Sequence, residues 1–303
     1  MTLKLNHYRG RFAPSPSGPL HLGSLYTAVA SYLQARSQNG TWLVRIDDLD
    51  PFRCQTKYSQ QILTTLDQYG LHWDESIMYQ RQRQPAYRHA LEQLKKLGLI
   101  YACGCSRRML ASRQLDQSPL IYDGYCLKHL PEKQHHSLRL KLPINTLCIN
   151  DRVQGVYQQN LQHEVGDFVI YRQDQVYAYH IAVAVDDAEQ GITEIVRGSD
   201  LFFSTPRQVL LQQLLNLKTP QYAHIPVILD NQGFKLSKQT YADEVSTDAV
   251  EETLIRVLNY LNLKPPEQLS FGSKHEILNW AVKHWKLSLI KKQKTLSLIS
   301  NES

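Results

Sequence analysis

The sequence predicts an α/β fold: a mostly parallel sheet with helices packed on it, interrupted by a cysteine-bearing insertion and followed by a small helical subdomain. Three observations carry that expectation. Strand-like and helical segments alternate from the N-terminus, a stretch with clustered cysteines breaks the alternation, and the apolar spacing beyond Ser246 turns helical.

Tyr8 to Ala13 reads as extended and leads into the Pro/Gly-rich loop PSPSGPLHLGS. From Ser24 to Gln34, Leu25, Ala28, Val29, Tyr32 and Leu33 recur at helical spacing, and TWLVRI follows as a short β-rich run. Together these make a βαβ unit, which implies parallel strands. Amphipathic helices are expected over Lys57 to Gln68 and in AYRHALEQLKKLG, where Gly98 supplies the C-terminal stop. From Ala102 to about Asn160 the texture changes to cysteines, basic residues and short β-like runs such as SLRLKL. YAYHIAVAV and ITEIVRG read as strands returning to the core, with a helix near Pro206 to Leu215 and a buried strand in HIPVILD. Val250 to Leu261 and His275 to Trp285 are the helices of the tail. The expected segments are 1–100 (first half of the core), 101–160 (insertion), 161–245 (second half of the core) and 246–303 (helical end).

The 303 residues, 42% hydrophobic and 20% charged, have the mixture of an ordinary globular protein, in which one domain takes about 100–200 residues. A net charge of +6 would help bind a polyanion without requiring one. No apolar run approaches the roughly 20 residues of a membrane span, and the N-terminus lacks a secretory pattern, so a cytoplasmic protein is expected. Of five cysteines, Cys103, Cys105 and Cys126 cluster, which in a reducing compartment favours a metal over disulfides.

Two loops suggest phosphate chemistry. In PSPSGPLHLGS the chain passes from strand to helix, where free N–H groups and the helix dipole favour an anion, and His21 and Gly23 stand at the junction. In KLSKQ, Lys235, Ser237 and Lys238 could neutralise a triphosphate as pyrophosphate departs. Each alone is also compatible with a surface turn. In this order, with a parallel-sheet domain between them, they are far more specific. RFAPSPSGPLHLGS and KLSKQ resemble the two signatures of the glutamate and glutamine class I aminoacyl-tRNA synthetases, and RIDDLD and ITEIVRGSDL resemble the same group. The resemblance spans residues 8 to 240 and implies a Rossmann-like class I catalytic core using ATP, with magnesium, as substrate. It makes His21 and Lys238 the catalytic pair, with Gly23, Lys235 and Ser237 at the nucleotide. One position departs: Ser24 stands where the first signature carries a second histidine.

The same resemblance places Arg11, Phe12, Ala13, Pro14 and Ser15 at an L-glutamate substrate, with Arg11 suited to a bidentate clamp on its side-chain carboxylate. Arg197 would hold a second anionic group, Tyr179 would close the pocket, and Asp47 would hold the α-ammonium. The group usually has glutamate at that last position, and the shorter aspartate would reach the ammonium through a water. The structural alternative is that Asp47 and Asp48 cap a turn and Arg197 pairs with Asp200.

Three thiolates leave a four-coordinate zinc short of one ligand. Tyr122, Tyr125, His129 and a water are candidates, and imidazole chemistry alone favours His129. CxC followed by YxxxC, however, resembles the zinc site of the glutamyl-queuosine tRNA(Asp) synthetases, which implies Cys103, Cys105, Tyr122 and Cys126 around one structural zinc. The short segment after KLSKQ suits the same family, since it leaves no room for a large anticodon-binding region; its Lys283, His284, Lys286, Lys291, Lys292 and Lys294 could meet phosphates. The resemblance then implies glutamate activation without tRNA and transfer to queuosine at the wobble position of tRNA(Asp). The alternatives are a truncated synthetase that charges a tRNA 3′ end and a non-enzymatic tRNA-binding relative.

Overall fold

A computed structural model describes residues 7–113, 121–131, 136–144, 146–236 and 243–298. The chain opens with β1 (Arg9–Phe12), α1 (Leu22–Ser37) and β2 (Thr41–Ile46), and β1 and β2 pair in parallel as the βαβ reading requires. Next come α2 (Thr56–Gln68), β3 (Met78–Tyr79), parallel to β2, and α3 (Gln84–Lys96). Gly98, at φ +69°, closes α3 in the left-handed region that a residue with a Cβ adopts only under strain.

The cysteine-bearing stretch contains β4 (Ile100–Cys103), α4 (Arg107–Ala111), α5 (Tyr125–Lys128) and β5 (Ser137–Leu140). It runs on through β6 (Thr146–Asp151), β7 (Gly155–Asn160), α6 (Leu161–Glu164) and β8 (Phe168–Tyr171). β4, β5 and β8 form a small antiparallel sheet that carries Cys103, with Cys105 just beyond β4 and Cys126 in α5. β6 leaves that sheet and pairs in parallel with a core strand, so residues 146–160 extend the central sheet instead of standing apart with the insertion.

The second half holds α7 (Tyr179–Glu189), β9 (Glu194–Gly198), α8 (Thr205–Leu214), β10 (Gln221–Ile225) and β11 (Val227–Leu229). Here the strand reading of YAYHIAVAV is corrected, because Tyr179 to Glu189 is helical. Ile181, Ala182, Val183, Ala184, Asp186 and Asp187 are all buried, so the helix is covered on nearly every side and leaves no polar stripe from which to read a period. HIPVILD divides at Pro226 into the end of β10 and all of β11. The tail contributes α9 (Val250–Tyr260), α10 (Lys274–His284) and β12 (Thr295–Ser297).

β9 pairs in parallel with β10, and hydrogen bonds between Arg9 and Thr193 set the start of β9 beside β1. Two sheets, β3-β2-β1 and β9-β10-β6 with β7 antiparallel at its edge, thus meet side by side at Arg9 and Thr193. On one face α1, α9 and α10 share a core with Trp42, Val44 and Ile225. On the other, α3, α7 and α8 pack around Leu43, Ile195 and Tyr222. The tail belongs to the first of these cores: Trp285 Nε1 donates to Gln34 of α1 at 2.7 Å, and β12 adds a parallel strand to β11, an element absent from the all-helical expectation. No described helix is long and apolar enough to cross a membrane.

Candidate active site

Parallel strands leave their ligand crevice at their C-terminal ends, where β1 and β9 diverge into loops. A cavity of about 400 Å³ lies there. Arg11, Phe12, Ala13, Pro14 and Ser15 line it from the first loop, His21 and Gly23 from the start of α1, and Tyr179, Arg197 and Lys235 from the second half. Asp47 lines an adjoining cavity of about 460 Å³ that shares Ser15 and Tyr179 with the first. Residues from both halves of the sequence thus converge on one crevice. Ser237 and Lys238 lie outside the described residues.

Arg197 is 4% exposed and held from behind. Its Nε–H donates to His224 Nε2 at 3.0 Å and its Nη2 to Thr205 Oγ1 at 2.8 Å, while its Nη1 is buried with no partner among the described residues. A buried guanidinium nitrogen with nothing to donate to is costly unless an anion arrives. Arg197 does not pair with Asp200, whose carboxylate instead takes Lys235 Nζ at 2.5 Å. That carboxylate folds back over Gly198 at the end of β9, where an added Cβ would stand 2.5 Å from Asp200 Oδ1 and would have to displace it.

Arg11 departs from its expected clamp. Its Nε and Nη2 donate to the two oxygens of Asp187 at 3.0 and 3.2 Å, so its side-on fork is occupied within the protein and only the end of the group is left for a ligand. Asp187 also accepts from Arg45 Nη1 at 2.7 Å, and Arg45 Nε donates to Asp47 at 2.8 Å. Two arginines and two aspartates, each at most 6% exposed, therefore alternate beneath the crevice. Burial opposes ionisation of Asp187, but Arg11 and Arg45 overcome it and hold the group down at about 2. For Asp47 burial prevails over Arg45, and its pKa rises to about 6. Asp48 accepts the Arg81 backbone N–H at 2.9 Å, so it caps a turn while its neighbour Asp47 faces the cavity. Arg45 and Asp187 were not among the sequence-derived candidates; the only hint was an aspartate pair embedded in an apolar run.

His21 is the N-cap of α1. Its Nδ1 lies 3.3 Å from Ser24 N and its Nε2 2.9 Å from Ser24 Oγ. The serine at the departing position of the signature thus grips the imidazole that remains. A Cβ on Gly23 would stand 3.3 Å from that ring, so glycine leaves the histidine room at the helix mouth.

At the cysteine centre, Cys103, Cys105 and Cys126 have sulfurs within 4.8 Å of one another. Tyr122, 6% exposed, places its hydroxyl 3.5 Å from Cys103 Sγ. His129, the ligand favoured on chemistry alone, hydrogen-bonds the Tyr125 carbonyl at 3.0 Å and stacks on the Tyr125 ring. Three thiols and a buried phenol around one point fit a four-coordinate, sulfur-rich metal, for which Tyr122 is the better-placed fourth donor.

A parallel sheet with a buried arginine and a helix N-terminus facing one crevice at its strand ends has the architecture of a class I synthetase catalytic core. The chain belongs to the ligase family of class I tRNA synthetases (E and Q), whose catalytic domain matches residues 7–294. It is similar to the Glutamyl-Q tRNA(Asp) synthetase of Methylococcus capsulatus, 49% identical over 92% of this chain and 91% of that one. The Glutamyl-Q tRNA(Asp) synthetases of Dechloromonas aromatica and Pseudomonas aeruginosa PAO1 are 45% and 47% identical, covering 96% and 95% of this chain and 98% and 97% of theirs. Among solved structures, a glutamate tRNA ligase from Elizabethkingia meningosepticum in complex with its amino acid superposes with a TM-score of 0.76 at 25% identity, over 95% of this chain and 66% of that one.

Proposed function

We propose that the chain activates L-glutamate with ATP in the absence of tRNA and then esterifies queuosine at the wobble position of tRNA(Asp). The observation that carries the first step is the unpartnered Nη1 of Arg197, lining the same cavity as the His21 helix mouth and Lys235. A carboxylate receptor and a phosphate receptor share one space. Arg197 and the end of Arg11 receive the glutamate carboxylates, Asp47 receives the α-ammonium, and Tyr179 closes the pocket. The α-carboxylate oxygen attacks the α-phosphorus of ATP; the new P–O bond forms as the bond to the bridging oxygen breaks, and pyrophosphate leaves, a charge that magnesium bound with ATP would help to neutralise. His21, Lys235, Ser237 and Lys238 stabilise the charge on the phosphates, with Gly23 admitting the nucleotide. In the second step a hydroxyl of the cyclopentene ring attacks the activated carbonyl and AMP departs. Positioning and electrostatics carry the rate, and no side chain forms a covalent intermediate.

Kinship with the Glutamyl-Q tRNA(Asp) synthetases over more than nine-tenths of both chains favours queuosine as acceptor and a cytoplasmic reaction. The likeness to a glutamate tRNA ligase favours a second reading, an ester on the tRNA 3′ end. Cys103, Cys105, Tyr122 and Cys126 hold a structural zinc in either case. Glutamate-dependent ATP–pyrophosphate exchange, run with and without bulk tRNA, tests activation; no exchange in both arms sinks it. Removing the CCA end from labelled tRNA separates the acceptors, since an ester on the base survives and one on the terminal ribose does not.

A further inference from the structure

Behind Arg197 lies a chain of groups that the reaction itself does not use. His224 is fully buried, and its ring lies parallel to that of Tyr222, centroids 6.0 Å apart, with Phe202 edge-on to it. Its Nδ1 is 2.6 Å from Asp151 Oδ2, and its Nε2 receives Arg197 Nε–H at 3.0 Å. An imidazole nitrogen that accepts carries no proton, so the ring proton must sit on Nδ1 and point at Asp151. Asp151 is itself fastened: Oδ1 accepts the backbone N–H groups of Val153, Gln154 and His224 at 3.0, 2.8 and 3.1 Å. Thr205 Oγ1 receives Arg197 Nη2 at 2.8 Å and lies 3.0 Å from His224 Nε2 and 3.3 Å from the Leu201 carbonyl, so its own proton goes to one of two acceptors and Nε2 stays unprotonated in either case. Asp151, His224 and Thr205 are thus all engaged, whereas Arg197 Nη1 has no partner among the described residues and is left for the cavity.

We propose that Asp151, His224 and Thr205 are positioning residues for substrate recognition. Asp151 selects the imidazole tautomer, the tautomer accepts Arg197 Nε–H, and the guanidinium is thereby turned so that Nη1 meets the glutamate carboxylate. The inference rests on the glutamate-activating reading of the site. Burial keeps the imidazole neutral, with its pKa lowered to about 4, so the acceptor state holds throughout the neutral range. The four groups come from β6, β9, α8 and β10, so the receptor is assembled across the sheet and not within one motif.

Asp151→Asn is the discriminating variant. The backbone donors require its carbonyl oxygen at the Oδ1 position, which turns its NH₂ toward His224 Nδ1 and forces the ring proton onto Nε2, against Arg197 Nε–H. The expected result is a flipped tautomer in the ¹⁵N shifts of the imidazole and a KM for glutamate in pyrophosphate exchange raised about tenfold or more, as for a lost charge-assisted hydrogen bond. The KM for ATP should stay within about twofold, since the nucleotide contacts are elsewhere. His224→Gln, which returns a carbonyl acceptor toward Arg197, should retain the glutamate KM far better than His224→Leu. An unflipped tautomer overturns the proposal whatever the kinetics, as does a flipped tautomer with unchanged glutamate KM, or an equal rise for both substrates. Should Asp151→Asn not fold, equal loss in His224→Gln and His224→Leu overturns it. Absence of exchange in the unmodified protein sinks the glutamate reading instead, and the relay is then judged on the imidazole shifts alone.

Discussion

Asp187 on α7 accepts Arg11 Nε of β1 at 3.0 Å in a site where both side chains are at most 4% exposed, joining residues 176 positions apart. Because Arg45 shares the same carboxylate, Asp187→Asn would leave two buried guanidinium groups with one aspartate between them. Breaking one partner of a buried pair costs about 3–5 kcal/mol, so this variant should show a markedly lower urea midpoint. The pH sign follows from the lowered pKa. Asp187 contributes its stability fully above its ordinary value of 3.8 and loses it as pH falls toward about 2. The wild-type protein should lose stability over that interval more steeply than the variant; parallel acid titrations would remove the pair from the account.

Asp47 has the opposite shift. Raised to about 6, its contribution to stability is full below 3.8 and lost as pH rises through 6, so the ionised carboxylate at neutral pH is held at a cost to the fold. Its proposed role with the α-ammonium requires that ionised form. The KM for glutamate should therefore rise as pH falls below about 6, and Asp47→Asn should show a high KM without that dependence. A wild-type KM flat from pH 5 to 7 would exclude Asp47 from ammonium binding.

What the sequence discloses here follows the range of the interactions. β1, α1 and β2 are legible because turn chemistry and apolar period are local properties, and the family signatures RFAPSPSGPLHLGS and KLSKQ because they are contiguous motifs. α7 was misread because burial on nearly all sides erased its period. Arg11 was read as a free fork because its partner lies 176 residues away. His224 and Asp151, 73 residues apart, carry no motif at all, and only the pairing of β6 with β10 brings them together. Cavity-lining residues sit in recognisable strings, whereas the residues that hydrogen-bond them from behind are brought there by strand order.

The cysteine centre gives a prediction with a compositional readout. Freshly purified reduced protein should contain about one zinc per chain, held by Cys103, Cys105, Tyr122 and Cys126. Cys126→Ser should lose the metal and weaken the packing of β4, α5 and Tyr122, lowering the unfolding temperature. His129→Ala should keep the metal, since that imidazole is engaged with Tyr125. Loss of zinc in His129→Ala with retention in Tyr122→Phe would reverse the ligand assignment.

Lys235 and Asp200 set the final expectation. The pair is half-exposed, its members 43% and 33% accessible, and it holds the start of KLSKQ against the turn after β9. If Lys235 turns to the triphosphate when ATP binds, Asp200 competes with the nucleotide for it. An exposed pair is worth at most about 1 kcal/mol, so Asp200→Asn should lower the KM for ATP by no more than about fivefold and leave that for glutamate unchanged. Lys238→Ala should behave differently: if its charge is needed only as pyrophosphate departs, kcat for exchange falls steeply while the glutamate KM holds. Exchange kinetics of the two variants separate ground-state competition from transition-state stabilisation within one loop. Unchanged exchange in Lys238→Ala would remove that lysine from the chemistry, and a raised ATP KM in Asp200→Asn would make Asp200 a support for the loop in place of a competitor.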